Sequence, residues 1–208
     1  MPVSDKPRII LASASPRRRD LLRRIGFSFT VEPSGVDEST ISHGSHREFA
    51  MKAALAKALD VSGSHTEALV IGADTIVCIE DRILGKPSDR VEAEQMLMDL
   101  RGRDHEVITG VAVVRAGSLQ CMVDAETTTV FFKNFRKETL ERYLESGESL
   151  DKAGAYGIQG RGKVLVRRIE GDYFNVVGLP LDCLLRALST FLDIKPNRER
   201  LDDLHHPF

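Results

Sequence analysis

Thirteen consecutive residues, Ala68 to Glu80 (ALVIGADTIVCIE), constrain this chain more than any other stretch. An apolar run this short and this rich in Val and Ile reads as a strand at the centre of a sheet. Gly72, Ala73, Asp74 and Thr75 interrupt it. An aspartate inside such a run is costly to bury unless it is paired, hydrogen-bonded or bound to metal. Asp74 could simply cap the strand end, but a functional carboxylate is the better reading.

A second constraint lies near the start, in Leu11 to Leu22. Arg8 to Leu11 is short, apolar and β-compatible. Ser15 followed by Pro16 makes a helix start, with a hydroxyl at the cap and proline at the first helical position. Leu21, Leu22 and Ile25 share one helical face, and Gly26 supplies the stop. The unit is a strand, a tight turn and a helix, and the positive end of the helix dipole sits at that turn. Arginines in the first turn of a helix are unfavourable there unless an anion arrives, and phosphate suits the guanidinium fork. At about 100° per residue, Arg18 lies on the line of the leucines and points inward, Arg17 flanks that line, and Arg19 points away. Arg17 and Arg18 are therefore candidate ligand groups. A basic surface helix is the alternative for this stretch taken alone.

The 208 residues suit one domain, or one domain with a small lobe, and 42% hydrophobic content is enough for a core. A formal net charge of −2 provides no global basic field for nucleic acid. Cys78, Cys121 and Cys183 form no CxxC pair, which argues for reduced thiols and a cytoplasmic protein. No secretory leader pattern or membrane-length apolar run is visible.

The remaining elements follow in order. Phe27 to Val31 reads as a strand, and the loop after it ends in Asp37 and Glu38. His43 and His46 are three apart on a polar loop and form at best a weak metal pair. A helix rich in Ala, Lys and Leu runs from Ser45 or His46 to Asp60. Asp81 to Leu84 forms a turn and short strand. Ser88 or Asp89 caps a helix with Ala93, Met96, Leu97 and Leu100 inward. Strands follow at His105 to Val114 and within Leu119 to Phe132, then a helix at Lys137 to Ser146 with Leu140, Tyr143 and Leu144 inward. Beyond a glycine-rich loop, Asp151 to Gly162, Lys163–Ile169 and Tyr173–Val177 are expected to pair as a hairpin. A last helix is expected over Leu181 to Leu192. The folded domain is expected over 8–194, flanked by polar tails at 1–7 and 195–208.

Gly157 to Lys163 nearly spells a phosphate-binding GxxxxGK loop. Val164 stands where Ser or Thr must hold magnesium, and a β-type run follows where a helix is required. The loop is kept as a ligand-contact element and the kinase-type reading is dropped. Four polar stations remain: Arg17 with Arg18, Glu38, Asp74 and Thr75 with Lys86, and Lys152 with Gln159. Glu38 and Asp74 can hold a hard cation such as Mg²⁺ through oxygens, while the cationic groups hold phosphates. This combination fits attack of water on a nucleotide phosphate.

Together these residues resemble the Maf-like nucleoside triphosphate pyrophosphatases. The matching motifs are Ser13-Ala-Ser-Pro-Arg-Arg18 with Leu21-Leu22, Gly72-Ala-Asp-Thr75, Gly85-Lys-Pro87, His105 to Gly110, Asp151 to Gly160 and Asn175 to Pro180. The resemblance implies a mixed α/β fold with a twisted sheet, flanking helices and two lobes around a cleft, similar to inosine triphosphate pyrophosphatases. It implies hydrolysis of a nucleoside triphosphate to the monophosphate and pyrophosphate, with a divalent cation, Mg²⁺ or Mn²⁺. Asp74 matches the proton acceptor, and Arg17, Thr75 and Gln159 match positions tied to substrate choice. Ser13 lies in the first motif, and Arg18, Glu38, Lys57 and Lys86 resemble the remaining phosphate and metal contacts. The family often has Glu-Lys-Ala where this chain reads Ala56-Lys57-Ala58. The Gly-Ile-Gln-Gly segment resembles the branch acting on dTTP and UTP, and modified pyrimidine nucleotides are an open further substrate of this chain. A buried Gln159 amide would suit the O4 and N3–H edge of a pyrimidine.

The rival readings are a non-catalytic nucleotide sensor acting in cell division, and a pyrophosphatase of the 7-methyl-GTP branch. The joint presence of Asp74, Glu38 and Lys86 favours the enzyme. Expected partners are the nucleotide and, as an open alternative to a monomer, a second copy of the chain; nucleic acid and membranes are not expected.

Overall fold

The structure is a computed structural model and describes residues 7–42 and 44–194. The tails expected at either end fall almost wholly outside these residues, as does His43. The long apolar run forms β3 (Ala68–Ile79), which passes through Gly72 to Thr75 without a break. It pairs in parallel with β1 (Arg8–Leu11), Arg8 facing Ala68 and Leu11 facing Ile71. β2 (Thr30–Val31) runs parallel on the other side of β1 and is shorter than the expected strand from Phe27.

Helix α1 (Pro16–Arg24) connects β1 to β2, and α2 (His46–Ser62) connects β2 to β3. After β3 come β4 (Arg82–Leu84), α3 (Arg90–Leu100), β5 (Asp104–Arg115), β6 (Cys121–Phe132), α4 (Lys137–Glu145), β7 (Val166–Glu170), α5 (Tyr173–Val177) and α6 (Leu181–Ser189). The sheet order is β2-β1-β3-β5-β6-β7, with β4 antiparallel on β3 and β7 antiparallel on β6. This is the mixed α/β arrangement expected. No helix among the described residues is long and apolar enough to cross a membrane.

The chain divides into two compact units. The first takes the described residues up to Asp74, Thr109–Glu126 and those from Gly178 on; the second takes Thr75–Ile108 and Thr127–Val177. In the first, the core is built from small side chains: Ala54 and Ala58 of α2, Val70 of β3, Ala112 and Val114 of β5, with Ile10 and Ala12. In the second, α3 buries Ala93, Leu97 and Leu100, and α4 buries Leu140, Tyr143 and Leu144. Met96, expected in the α3 stripe, is only half-buried.

One expected pairing is absent. Residues 173–177 do not form the second arm of a hairpin; they are the short helix α5, and β7 pairs with β6 instead. Val, Tyr and Phe made this stretch look β-favouring, but Asp172 overrides that preference. Its carboxylate accepts from Phe174 N at 2.7 Å, a local cap that starts a helical turn. Asn175 then turns inward, donating to Val107 O and Thr128 Oγ1, both at 2.9 Å.

Candidate active site

The first unit gathers Ser13, Arg17, Arg18, Glu38, Lys57 and Asp74. Its construction begins at α1. Ser15 caps the helix by accepting from Arg18 N, Pro16 occupies the first turn, and Gly26 (φ +86°) ends it. Arg18 points inward as its position on the wheel predicts. Its Nε donates to Gly178 O at 2.8 Å, and Nη1 donates to Ala73 O at 2.8 Å and to Ser13 Oγ at 3.1 Å. Burial draws the guanidinium below its usual range, opposed by the nearby charge of Asp74. Arg18 thus ties the turn after β1 to the backbone beside Asp74 and to Gly178. Arg19, expected to point into solvent, is half-buried, and its Nε has no hydrogen-bond partner among the described residues.

Asp74 is 4% exposed. Its Oδ1 accepts from Lys57 Nζ at 2.7 Å, while Oδ2 is buried with no hydrogen-bond partner among the described residues. Lys57 Nζ also contacts Glu38 Oε1, so one ammonium bridges both carboxylates. Glu38 is held in a short 3₁₀ turn, Glu38–Thr40, capped by Asp37, whose side chain accepts from Ser39 N at 3.0 Å.

The local fold explains this meeting. A Cβ built on Gly72 would lie 2.1 Å from Ala54 O, so α2 rests directly on β3 at that point. A Cβ on Gly110 of β5 would lie 2.1 Å from Ala50 O, one helical turn earlier. Asp74 is two residues beyond Gly72 and therefore on the same face of the strand. Lys57 is three residues beyond Ala54 and on the same side of the helix. The close seam at Gly72 sets the lysine opposite the carboxylate. Lys57, expected among the phosphate and metal contacts, is held here between two carboxylates. The available signal was its place at the edge of the Ala50, Ala54, Ala58, Val61 stripe.

The second unit holds Thr75, Lys86, Lys152 and Gln159. Thr75 is half-buried. Lys86 is exposed, between Gly85 and the buried Pro87, and forms no ion pair among the described residues. Lys152 Nζ is engaged within its own loop, donating to Glu148 O at 2.5 Å and to Asp151 Oδ1 at 2.6 Å. Gln159 is exposed, which corrects the expectation of a buried amide. It precedes a 3₁₀ turn, Gly160–Leu165, that leads into β7, so the rejected phosphate-loop geometry is indeed not formed here.

Sequence reasoning missed a buried polar pair, His105 and Tyr156, although both lie inside the quoted motifs. His46 opens α2, and no group of three His, Cys, Asp or Glu among the described residues is arranged to hold a metal. Cys78 and Cys183 are buried, and burial pushes both thiols up to about 12, so neither supplies a thiolate near neutral pH.

A family model described as Maf-like protein matches residues 8–191. A dTTP/UTP pyrophosphatase of Moorella thermoacetica is 52% identical over 184 residues, covering 88% of this chain and 95% of its own. Similar proteins of the same description come from Symbiobacterium thermophilum, 49% identical over 88% of this chain and 93% of its own, and from Thermoanaerobacter sp., 48% identical over 90% and 98%. Among solved structures, a HAM1 protein from Coxiella burnetii aligns with 64% of this chain and 76% of its own, at a TM-score of 0.46 and 12% identity.

Proposed function

The chain belongs to the Maf-like protein family, and from that membership we propose that it hydrolyses dTTP and UTP to the nucleoside monophosphate and pyrophosphate. The observation that carries the proposal is Asp74: a buried carboxylate with one oxygen on Lys57 and the other unpartnered. Relatives at about half identity over nearly their whole length bear the name of this activity.

In this reading water adds at phosphorus, the α–β anhydride bond breaks, and pyrophosphate leaves. Asp74 Oδ2 accepts the proton from the attacking water, because Oδ1 is already occupied by Lys57. Lys57 holds the carboxylate in place and offsets the charge of Asp74 and Glu38. Arg17 contacts the phosphates, while Arg18 and Ser13 shape the turn that presents them. Thr75, Lys86, Lys152 and Gln159 serve substrate recognition. For Lys152 this requires exchange of its bond to Asp151 for a ligand oxygen.

The residues present also fit a hard divalent cation. The half-exposed carboxylate of Glu38, joined to the buried carboxylate of Asp74 through Lys57, is an oxygen donor of the kind Mg²⁺ or Mn²⁺ takes, in a site that phosphates complete. When bound, the ion supplies neutralisation of charge on the phosphate oxygens.

The test is a panel of dTTP, UTP, CTP, ATP, GTP and 7-methyl-GTP with Mg²⁺, read by pyrophosphate release. dTTP and UTP should turn over well and the others poorly. Chelation with EDTA should abolish turnover, and Mg²⁺ or Mn²⁺ should restore it. Preference for 7-methyl-GTP would move the chain to a different branch, and no release from any nucleotide would leave a sensing role.

A further inference from the structure

The loop between Lys152 and Gln159 holds a backbone conformation that its sequence alone does not favour. Gly154 (φ +66°) and Ala155 (φ +59°) are both left-handed, and they are consecutive. Ala155 carries a Cβ that disfavours this region, so the surroundings must impose it. A Cβ on Gly154 would lie 2.9 Å from Val77 Cγ1, which leaves only glycine there. Three hydrogen bonds clamp the turn. Gly154 N donates to Gly85 O at 3.0 Å, beside Lys86. Tyr143 Oη, from α4, donates to Ala155 O at 3.3 Å. His105 Nε2, from β5, shares a 2.7 Å bond with Tyr156 Oη.

The last of these is the unusual one. His105 is 3% exposed and Tyr156 5%, and Phe132 stands edge-on to both rings at centroid distances of 5.0 and 4.7 Å. Two phenylalanines would fill such a place without any polar group to desolvate. His105 Nδ1 is buried with no hydrogen-bond partner among the described residues, so the bond to Tyr156 is the ring's polar anchor. Burial pushes the imidazole down to about 4 and the phenol up, so the pair stays neutral across the physiological range. A buried polar pair of this kind adds direction to a core that apolar packing alone would leave less specified.

We infer that the His105–Tyr156 hydrogen bond is a positioning device for base selection: it fixes the strained turn in the loop that carries Lys152 and Gln159. His105 and Tyr156 act through the loop and do not touch substrate. The inference rests on the proposed pyrophosphatase activity for its kinetic part only. The holding of the turn is a property of the protein alone.

Three full-length variants test it: Tyr156→Phe, which deletes one oxygen; His105→Phe, which keeps a ring for Phe132 to meet; and His105→Gln, whose amide can again pair with Tyr156. Amide hydrogen exchange is measured over 152–160, with α2 and β3 as internal references. In the two phenylalanine variants exchange over 152–160 should rise about five- to tenfold, as follows from a buried polar group left unpaired. KM for UTP should rise by a similar factor with kcat held within about twofold, the UTP-to-CTP ratio of kcat/KM should fall, and His105→Gln should restore most of both. Unchanged exchange over 152–160, or a rise shared equally by α2 and β3, overturns the positioning role. Faster local exchange with an unchanged UTP-to-CTP ratio overturns its link to base selection. If the wild-type protein releases no pyrophosphate, the functional reading and base selection fail together, while exchange still decides whether the pair holds the turn.

Discussion

Replacing Lys57 by methionine removes a charge while keeping most of the stem. In the native protein the side chains of Lys57 and Asp74, taken without their backbone atoms, are 14% and 6% exposed, and their charged atoms are 2.7 Å apart. At an effective dielectric of about 20, a pair at that distance has a gross Coulomb attraction of roughly 6 kcal/mol. Much of it is offset by the desolvation both groups undergo. What a single substitution measures is the cost of leaving the other charge behind, typically ~3–5 kcal/mol for a buried pair. The nearby Arg18 guanidinium relieves part of this, so the low end applies, about 3 kcal/mol. For a chain of this size that corresponds to a melting temperature lower by about 6–12 °C. Asp74→Leu alone should cost less, because Lys57 keeps Glu38 as a partner. The double variant should lie above Lys57→Met and short of wild type, since no carboxylate is stranded but Arg18 loses the Asp74 charge that offsets its burial. Calorimetry and urea titration of all four proteins complete the cycle. A Lys57→Met protein melting within about 2 °C of wild type, or single effects that simply add in the double variant, would show that the pair is not coupled as argued.

Asp74→Asn keeps the shape, leaves a carbonyl for Lys57 and removes the base. kcat should fall by ~10²–10⁴-fold while the melting temperature falls by less than in Lys57→Met, and near-normal turnover would exclude the role given to Asp74. Gln159→Ala should lower kcat/KM for UTP and narrow the gap to CTP by about five- to tenfold in competition assays. An unchanged ratio would make Gln159 a residue of loop structure only.

Much of the scaffold was legible because its signals are local. Ser15 and Pro16 start α1, Gly26 ends it, and the 100° wheel turned Arg18 inward. The run of Val and Ile at Ala68–Ile79 marked β3. Asp74 stood out because a charge in such a run needs a reason. Misreadings came where a single side chain outweighed composition. Asp172 made a helical turn of residues 173–177 that pattern alone assigned to a strand. Lys57 was ambiguous because sequence distance hides the approach of α2 to β3, which depends on what Gly72 lacks. Arg18 pointed inward as expected, but besides Ser13 Oγ its acceptors include the backbone oxygens of Ala73 and Gly178, and no pattern of side chains announces a carbonyl. His105 and Tyr156 are 51 positions apart and meet only once the sheet and the glycine loop are in place.

The seam of α2 on the sheet has a consequence for how such a chain drifts over generations. At Gly72 and Gly110 the first atom of any side chain would meet helix backbone at 2.1 Å, and backbone cannot step aside as a flexible side chain can. Alanine, ordinarily the gentlest replacement, is therefore as unwelcome there as a large residue. No single exchange on the helix makes room either, because the obstructing atoms are the carbonyl oxygens of Ala50 and Ala54, present whatever residue stands in those places. Any replacement at either glycine therefore has to lift α2 off the sheet, and with it the lysine that this helix sets against Asp74.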